Sequence, residues 1–96
     1  MPSSNAVVST ANASRYLQQL CKHWGHRFAV EFDPASGSID FGNGELLSLT
    51  AEGETLTLTA GVAEAGDLSA LERVVADHLQ RFAFREALQI DWRPGA

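Results

Sequence analysis

The chain has 96 residues, 45% of them hydrophobic and 20% charged, with a formal net charge of −5. That length makes one domain, residues 1–96, which buries roughly two thirds of its unfolded surface without staples; the ordinary balance of residue types excludes a disordered tail, a collagen-like rod and a coiled coil. The acidic charge disfavours duplex DNA or RNA, the single cysteine excludes an internal disulfide, and no stretch approaches the ~20 apolar residues of a membrane helix.

Met1–Thr10 carries no basic residue and no apolar run of signal-peptide length, so the expectation is a soluble cytoplasmic protein with no nucleic-acid or membrane partner. The ends, Met1–Asn5 and Pro94–Ala96, are expected to fray and leave an ordered core of about 6–93. A short strand is expected at Ala6–Ser9. Thr10 and Asn12 are both N-cap residue types. Ala13, Tyr16, Leu17, Leu20, Cys21 and Trp24 then recur at helical spacing, opposite Arg15, Gln18, Gln19 and Lys22, which predicts an amphipathic helix to about Trp24. Gly25 suits the left-handed position that follows a helix end.

Phe28, Val30 and Phe32 alternate with polar or small residues, as a half-buried strand does. "DPASG" (33–37) is a loop, and Ile39 and Phe41 resume the alternation. Asn43-Gly44 is a strong hairpin signal, because both residues of the favoured turn need positive φ. Leu47 and Leu49, a turn at Gly53, and Leu56 and Leu58 among threonines complete a meander of four antiparallel strands. After a flexible connection at Gly61–Gly66, Asp67 caps a second helix with the stripe Leu68, Leu71, Val75, His78, Leu79 and Phe82, fading near Phe84–Glu86. Leu88, Ile90 and Trp92 alternate again and predict a last strand. The expected fold is α+β: a two-layer domain of order β-α-β-β-β-β-α-β, its antiparallel meander carrying both helices on one face and a threonine-rich, acidic face in solvent. A short barrel-like curl around a helix satisfies the same alternation.

"CKHWGHRF" (21–28) holds the only cysteine and two of the three histidines. Cys21 and His23 point about 200° apart on a helix, which is poor geometry for one ion. His23 and His26 are better spaced, although Gly25 interrupts the helix between them. With His78 from the second helix, Cys21, His23 and His26 make up the metal reading, with zinc or iron as the ion. The plainer reading makes Cys21 a small core hydrophobe, and Lys22, His23, His26 and Arg27 cations that complement a helix C-terminus. His78 faces the layer interface. It is either a core histidine bonded to a carbonyl or partner side chain, or a titrating group lining a pocket walled by Trp24, Tyr16 and Phe82. Arg81 and Arg85, four apart, form an anion clamp or pair with Glu31, Asp77 or Glu86 at the surface. Glu31, Asp33 and Asp40 share the face away from the core. The sequence contains no glycine-rich phosphate loop, G-x-S-x-G elbow, H-E-x-x-H or paired C-x-x-C.

The blocks "ASRYLQQLCKHWGH" (13–26), "VEFDPASGSIDF" (30–41) and "HLQRFAFRE" (78–86), followed by "LQIDW", together resemble the bacterial domain of unknown function 2218 family. The likeness runs from about Val7 to Arg93 and is specific through the combination of blocks. It implies a stand-alone bacterial α+β domain without established activity, found with or fused to flavin-dependent siderophore-interacting proteins, a loose pointer to iron handling. It supplies no catalytic residues. Its strongest blocks centre on Cys21, His23, His26, Glu31, Asp33, His78, Arg81 and Arg85. Ala11 departs from the proline expected at that position in relatives.

A complete core pattern without an assembled catalytic set favours a non-enzymatic binding or accessory module with no cofactor. Its expected site is His26, His78, Arg81, Arg85 and Trp24, and its expected partner a small anionic ligand or a siderophore-interacting protein. The metal protein built on Cys21, His23, His26 and His78 is the alternative. A small hydrolase or isomerase pairing His78 with Glu31 or Asp33 is opposed by strand phasing, which turns those carboxylates to the far face. Sheet edges leave a homodimer open.

Overall fold

Alternation along each strand sends one set of side chains to a single face, and both helices lie on that face. In the computed structural model, which describes residues 2–95, the elements are β1 (Ser3–Ser9), α1 (Ala13–Trp24), β2 (Ala29–Phe32), β3 (Ser36–Gly42), β4 (Glu45–Glu52), β5 (Thr55–Gly61), α2 (Leu68–Phe82) and β6 (Arg93–Pro94). The six strands form one antiparallel sheet of order β2-β3-β4-β5-β1-β6. The order opens at β2 and β6, so the sheet is open and the barrel-like alternative does not hold.

Register puts the apolar residues side by side: Ile39 opposite Leu47, Leu49 opposite Leu58, and Leu58 in turn opposite Ala6. These residues, with Val8 and Leu56, are fully buried beneath the helices. The opposite face carries Ser48, Thr50, Thr57 and Thr59 in neighbouring strands, as the alternation predicts. The β3–β4 hairpin turns at Asn43 (φ 55°) and Gly44 (φ 81°), the two positive-φ residues this turn requires. Asp33 accepts from the backbone N–H groups of Ala35 and Ser36, both at 2.8 Å, and these bonds hold its carboxyl below the usual range.

α1 packs across β3 and β4, and α2 lies beside it over β5. The stripe of α1 is buried throughout: Ala13, Tyr16, Leu17, Leu20, Cys21 and Trp24. Its close approach depends on Gly37. A Cβ there would lie 2.8 Å from Cys21 Sγ and 3.2 Å from Phe32 Cβ, so the helix rides over a position with no side chain. On α2, Leu71, Val75 and Leu79 are buried, and Asp67 caps the helix through Oδ1, which accepts from the Ala70 N–H at 3.0 Å.

Four expectations are corrected. β1 begins at Ser3 rather than Ala6, because Ser3–Asn5 pair with Thr59–Gly61 of β5; Met1 and Ala96, also expected to fray, lie outside the described residues. Gly25 is right-handed (φ −62°); its bareness relieves crowding instead, since a Cβ would meet the Cys21 carbonyl oxygen at 3.0 Å. Asn12 occupies the N-cap position of α1 but makes no side-chain cap bond, because its amide is used elsewhere. Leu88–Trp92 is not a strand. Leu88, Ile90 and Trp92 are half-buried against the core, but the ladder bonds belong to the two-residue β6.

Side chains do for that segment what a ladder would have done. Gln80 Nε2 donates to the Glu86 carbonyl at 2.7 Å, and Gln80 Oε1 accepts from the Leu88 N–H at 3.2 Å. The Glu86 carboxylate accepts from Thr10 Oγ1 (3.0 Å), Asn12 Nδ2 (3.0 Å) and the Tyr16 hydroxyl, tying the end of the chain to the start of α1. The Tyr16 hydroxyl bond first, then the Asn12 bond, lowers the Glu86 carboxyl below its ordinary value. Burial first, and the same bond second, raises the Tyr16 phenol.

Two outcomes are expected. Gly37→Ala lowers stability by about 1–3 kcal/mol in urea unfolding, because the new methyl overpacks the α1 contact; Cys21→Ala in the same chain recovers part of that loss. An unchanged midpoint for Gly37→Ala contradicts the close approach. Glu86, with its folded value depressed, contributes stability that is complete above the unfolded carboxyl value of about 4.3 and is lost as pH falls through the lower folded value. Glu86→Gln therefore removes part of the acid-side slope of Tm against pH, measured from about pH 6 to about pH 3.

Candidate functional site

The last turn of α1 and the chain that leaves it build one wall of a cleft. Gly25 N–H donates to the Cys21 carbonyl at 2.8 Å; Arg27 and Phe28 N–H both donate to the Trp24 carbonyl, at 3.0 and 2.9 Å. This wrapped turn carries His26 and Arg27 outward, both exposed, and feeds Phe28 toward the sheet. Trp24 closes the apolar stripe of α1 at 5% exposure. Its ring meets Phe41 edge-to-face at 5.1 Å, and Phe41 meets Phe28 in the same manner at 5.0 Å.

α2 supplies the opposite wall. The His78 ring lies 5.0 Å from that of Trp24 and 5.2 Å from that of His23, which also meets Phe82 at 5.8 Å. His78 Nδ1 sits 2.8 Å from the Val74 carbonyl oxygen. A carbonyl only accepts, so Nδ1 carries the hydrogen and Nε2 is the acceptor of the neutral ring. Leu71 and Val74 complete this wall, with Val74 43% exposed. The cleft, open to solvent on one side, has a volume of about 600 Å³, an aromatic floor, and His26, Arg27 and Glu45 at its rim.

Of the residues expected at a ligand site, Trp24, His26 and His78 line this cleft, as does His23. Arg81 and Arg85 do not line the cleft; both are exposed. Arg85 stacks on Phe84 at 5.4 Å and borders a separate hollow of about 270 Å³ with Tyr16, Phe82 and Glu86. Tyr16 and Phe82 therefore wall that hollow rather than the cleft. Glu31, Asp33 and Asp40 are exposed. Glu31 and Asp40 lie on the outer side of the sheet, in register with Ser38 and Leu46, away from His78.

The metal reading loses its geometry. Among the described residues no three His, Cys, Asp or Glu side chains converge on a point that could hold an ion. Cys21 is completely buried beneath Gly37, while His23 and His26 project outward from the same stretch. Burial alone pushes the Cys21 thiol up to about 11, leaving it protonated and unreactive.

Sequence reasoning overlooked Arg27, Phe28, Phe41, Glu45 and Val74 as cleft residues. Phe28 and Phe41 carried a usable signal. Phe28 immediately precedes β2 and Phe41 is the next-to-last residue of β3, both packed against the core beside the last turn of α1.

A family model described as "Uncharacterized protein conserved in bacteria (DUF2218)" matches residues 5–93. The chain is similar to the solved structure titled "NMR structure of PA4090 from Pseudomonas aeruginosa", with 42% identity over 98% of this chain and 97% of that one and a TM-score of 0.80. No curated protein matches. No helix among the described residues is long and apolar enough to cross a membrane.

The buried, protonated Cys21 thiol is expected to react with a disulfide reagent only at the rate of global unfolding, and fully in denaturant. Rapid stoichiometric labelling of the folded protein contradicts its placement.

Proposed function

The chain belongs to this bacterial domain of unknown function 2218 family, and from that premise we propose that it is a non-enzymatic binding module whose small, flat ligand lodges in the Trp24–Phe41 cleft. The observation that carries the reading is the cleft itself. Its volume of about 600 Å³ lies within the range of small-molecule pockets, and its apolar floor is bordered by a few polar groups, the usual composition of such sites. The Trp24, Phe28 and Phe41 rings favour an aromatic or otherwise planar body. Arg27 brings positive charge to the rim of an acidic protein, with His26 beside it, so an anionic group on the ligand finds its partner there rather than at Arg81 and Arg85. The association with siderophore-interacting proteins implied by the family resemblance supports aromatic siderophores and organic acids as the compounds to screen.

Trp24 is the natural reporter. In a Trp92→Phe background it is the sole tryptophan, and a ligand on the cleft floor changes its emission. The same ligand raises stability by about 2.7 kcal/mol at a hundred times Kd, on the order of 10–20 °C in Tm for a domain of this size. Val74→Phe, at an exposed cleft position, fills the space and abolishes both effects. A screen in which no compound moves Trp24 emission, or binding untouched by Val74→Phe, defeats the proposal.

A further inference from the structure

The rim of the cleft carries opposite charges on opposite sides. Arg27 precedes Phe28 at the β2 side, with its guanidinium 5.9 Å above the Phe28 ring. Glu45 opens β4, and β3 runs between β2 and β4 in the sheet. Backbone positions two strand spacings apart lie about 10 Å from each other, so Arg27, in the turn just before β2, and Glu45, on β4, enter the cleft from either side of β3. Between them lies Phe41, the end of β3, its ring edge-on to both Trp24 and Phe28. An apolar floor flanked by a cation and an anion selects a matching dipole.

We propose that the cleft recognises a dipolar aromatic ligand, its anionic end held by Arg27, its ring over Phe41, and its cationic or N–H donor end held by Glu45. This assignment rests on the binding-module reading above and adds ligand polarity and orientation to it. Arg27 supplies a planar two-pronged donor suited to a carboxylate, and Glu45 accepts from an ammonium or amide N–H. The aromatic walls tolerate the cationic end as well, because ring faces attract positive charge. A simple aromatic anion would leave Glu45 facing the ligand without a partner, and a simple aromatic amine would do the same for Arg27. Each such mismatch forfeits one rim contact.

The test titrates the Trp92→Phe protein with four probes built on one benzene ring: 4-(aminomethyl)benzoate, benzoate, benzylamine and benzyl alcohol, following Trp24 emission. The dipolar probe is expected to bind about fivefold more tightly than either singly charged probe, the upper range for a rim ion pair. Arg27→Gln reduces its affinity to that of benzylamine, and Glu45→Gln to that of benzoate. The charge-exchanged double variant Arg27→Glu, Glu45→Lys restores dipolar binding with the probe reversed, which also shows that lost binding in the single variants is not misfolding. Equal affinity for all four probes overturns the dipolar assignment while leaving the cleft as a binding site. Failure of every probe, together with failure of the broader screen, removes the cleft reading and this assignment with it.

Discussion

The height at which α1 rides over the sheet depends on a missing side chain. Gly37 lets Cys21 Sγ and Leu17 settle directly against the backbone of β3, and everything further along the helix inherits that level. One turn beyond Leu20, Trp24 reaches the end of β3 and meets Phe41 edge-on. A helix held higher would separate those rings and leave a shallow surface where the cleft now lies. The thiol takes part in this as volume rather than chemistry. Burial keeps it protonated, and its sulfur fills the dip that Gly37 leaves.

The two ends of α1 have divided roles. At its start, one carboxylate gathers three neutral donors, from Thr10, Asn12 and Tyr16, and so fastens the segment after α2 to the rest of the molecule. Because Glu86 is satisfied by hydroxyl and amide groups, this tie does not require nearby Arg15 or Arg85 to act as counter-ions. At the other end of the helix the rings collect. His78 packs against both Trp24 and His23, oriented by the Val74 carbonyl, so its Nδ1 hydrogen bond is settled within its own helix and its ring is left as wall. The polar tie and the aromatic cleft are thus kept apart by the length of α1, its apolar stripe buried between them.

Periodicity and turn chemistry made most elements legible. The α1 and α2 stripes, the Asp67 cap and the Asn43-Gly44 hairpin appear as the spacing implies, because each is governed by residues close together in the chain. What needed the third dimension was not legible. β1 lies beside β5 rather than joining the meander at its near edge, a choice made by long-range pairing. Leu88, Ile90 and Trp92 alternate like a strand because alternation reports burial, not hydrogen bonding. Glu86 was readable only as a surface partner for Arg81 or Arg85; its tie to α1 gave no signal, since the partners lie 70 to 76 residues away. For the site, Trp24 and His78 were readable as inward-facing groups on neighbouring helices. Arg27 and Glu45 were not readable as a rim although the meander order was, because the turn that follows Trp24 and the approach of α2 bring them to one cleft only in three dimensions.

The border strand β6 has a bearing on how the molecule tolerates crowding. It is two residues long, and its second residue, Pro94, has no N–H to offer a newcomer. Sheet growth by recruitment of another chain, the route to fibrous stacking, therefore meets at that margin a template too short to copy and chemically blunt. The same pair of residues that finishes the sheet also discourages its extension.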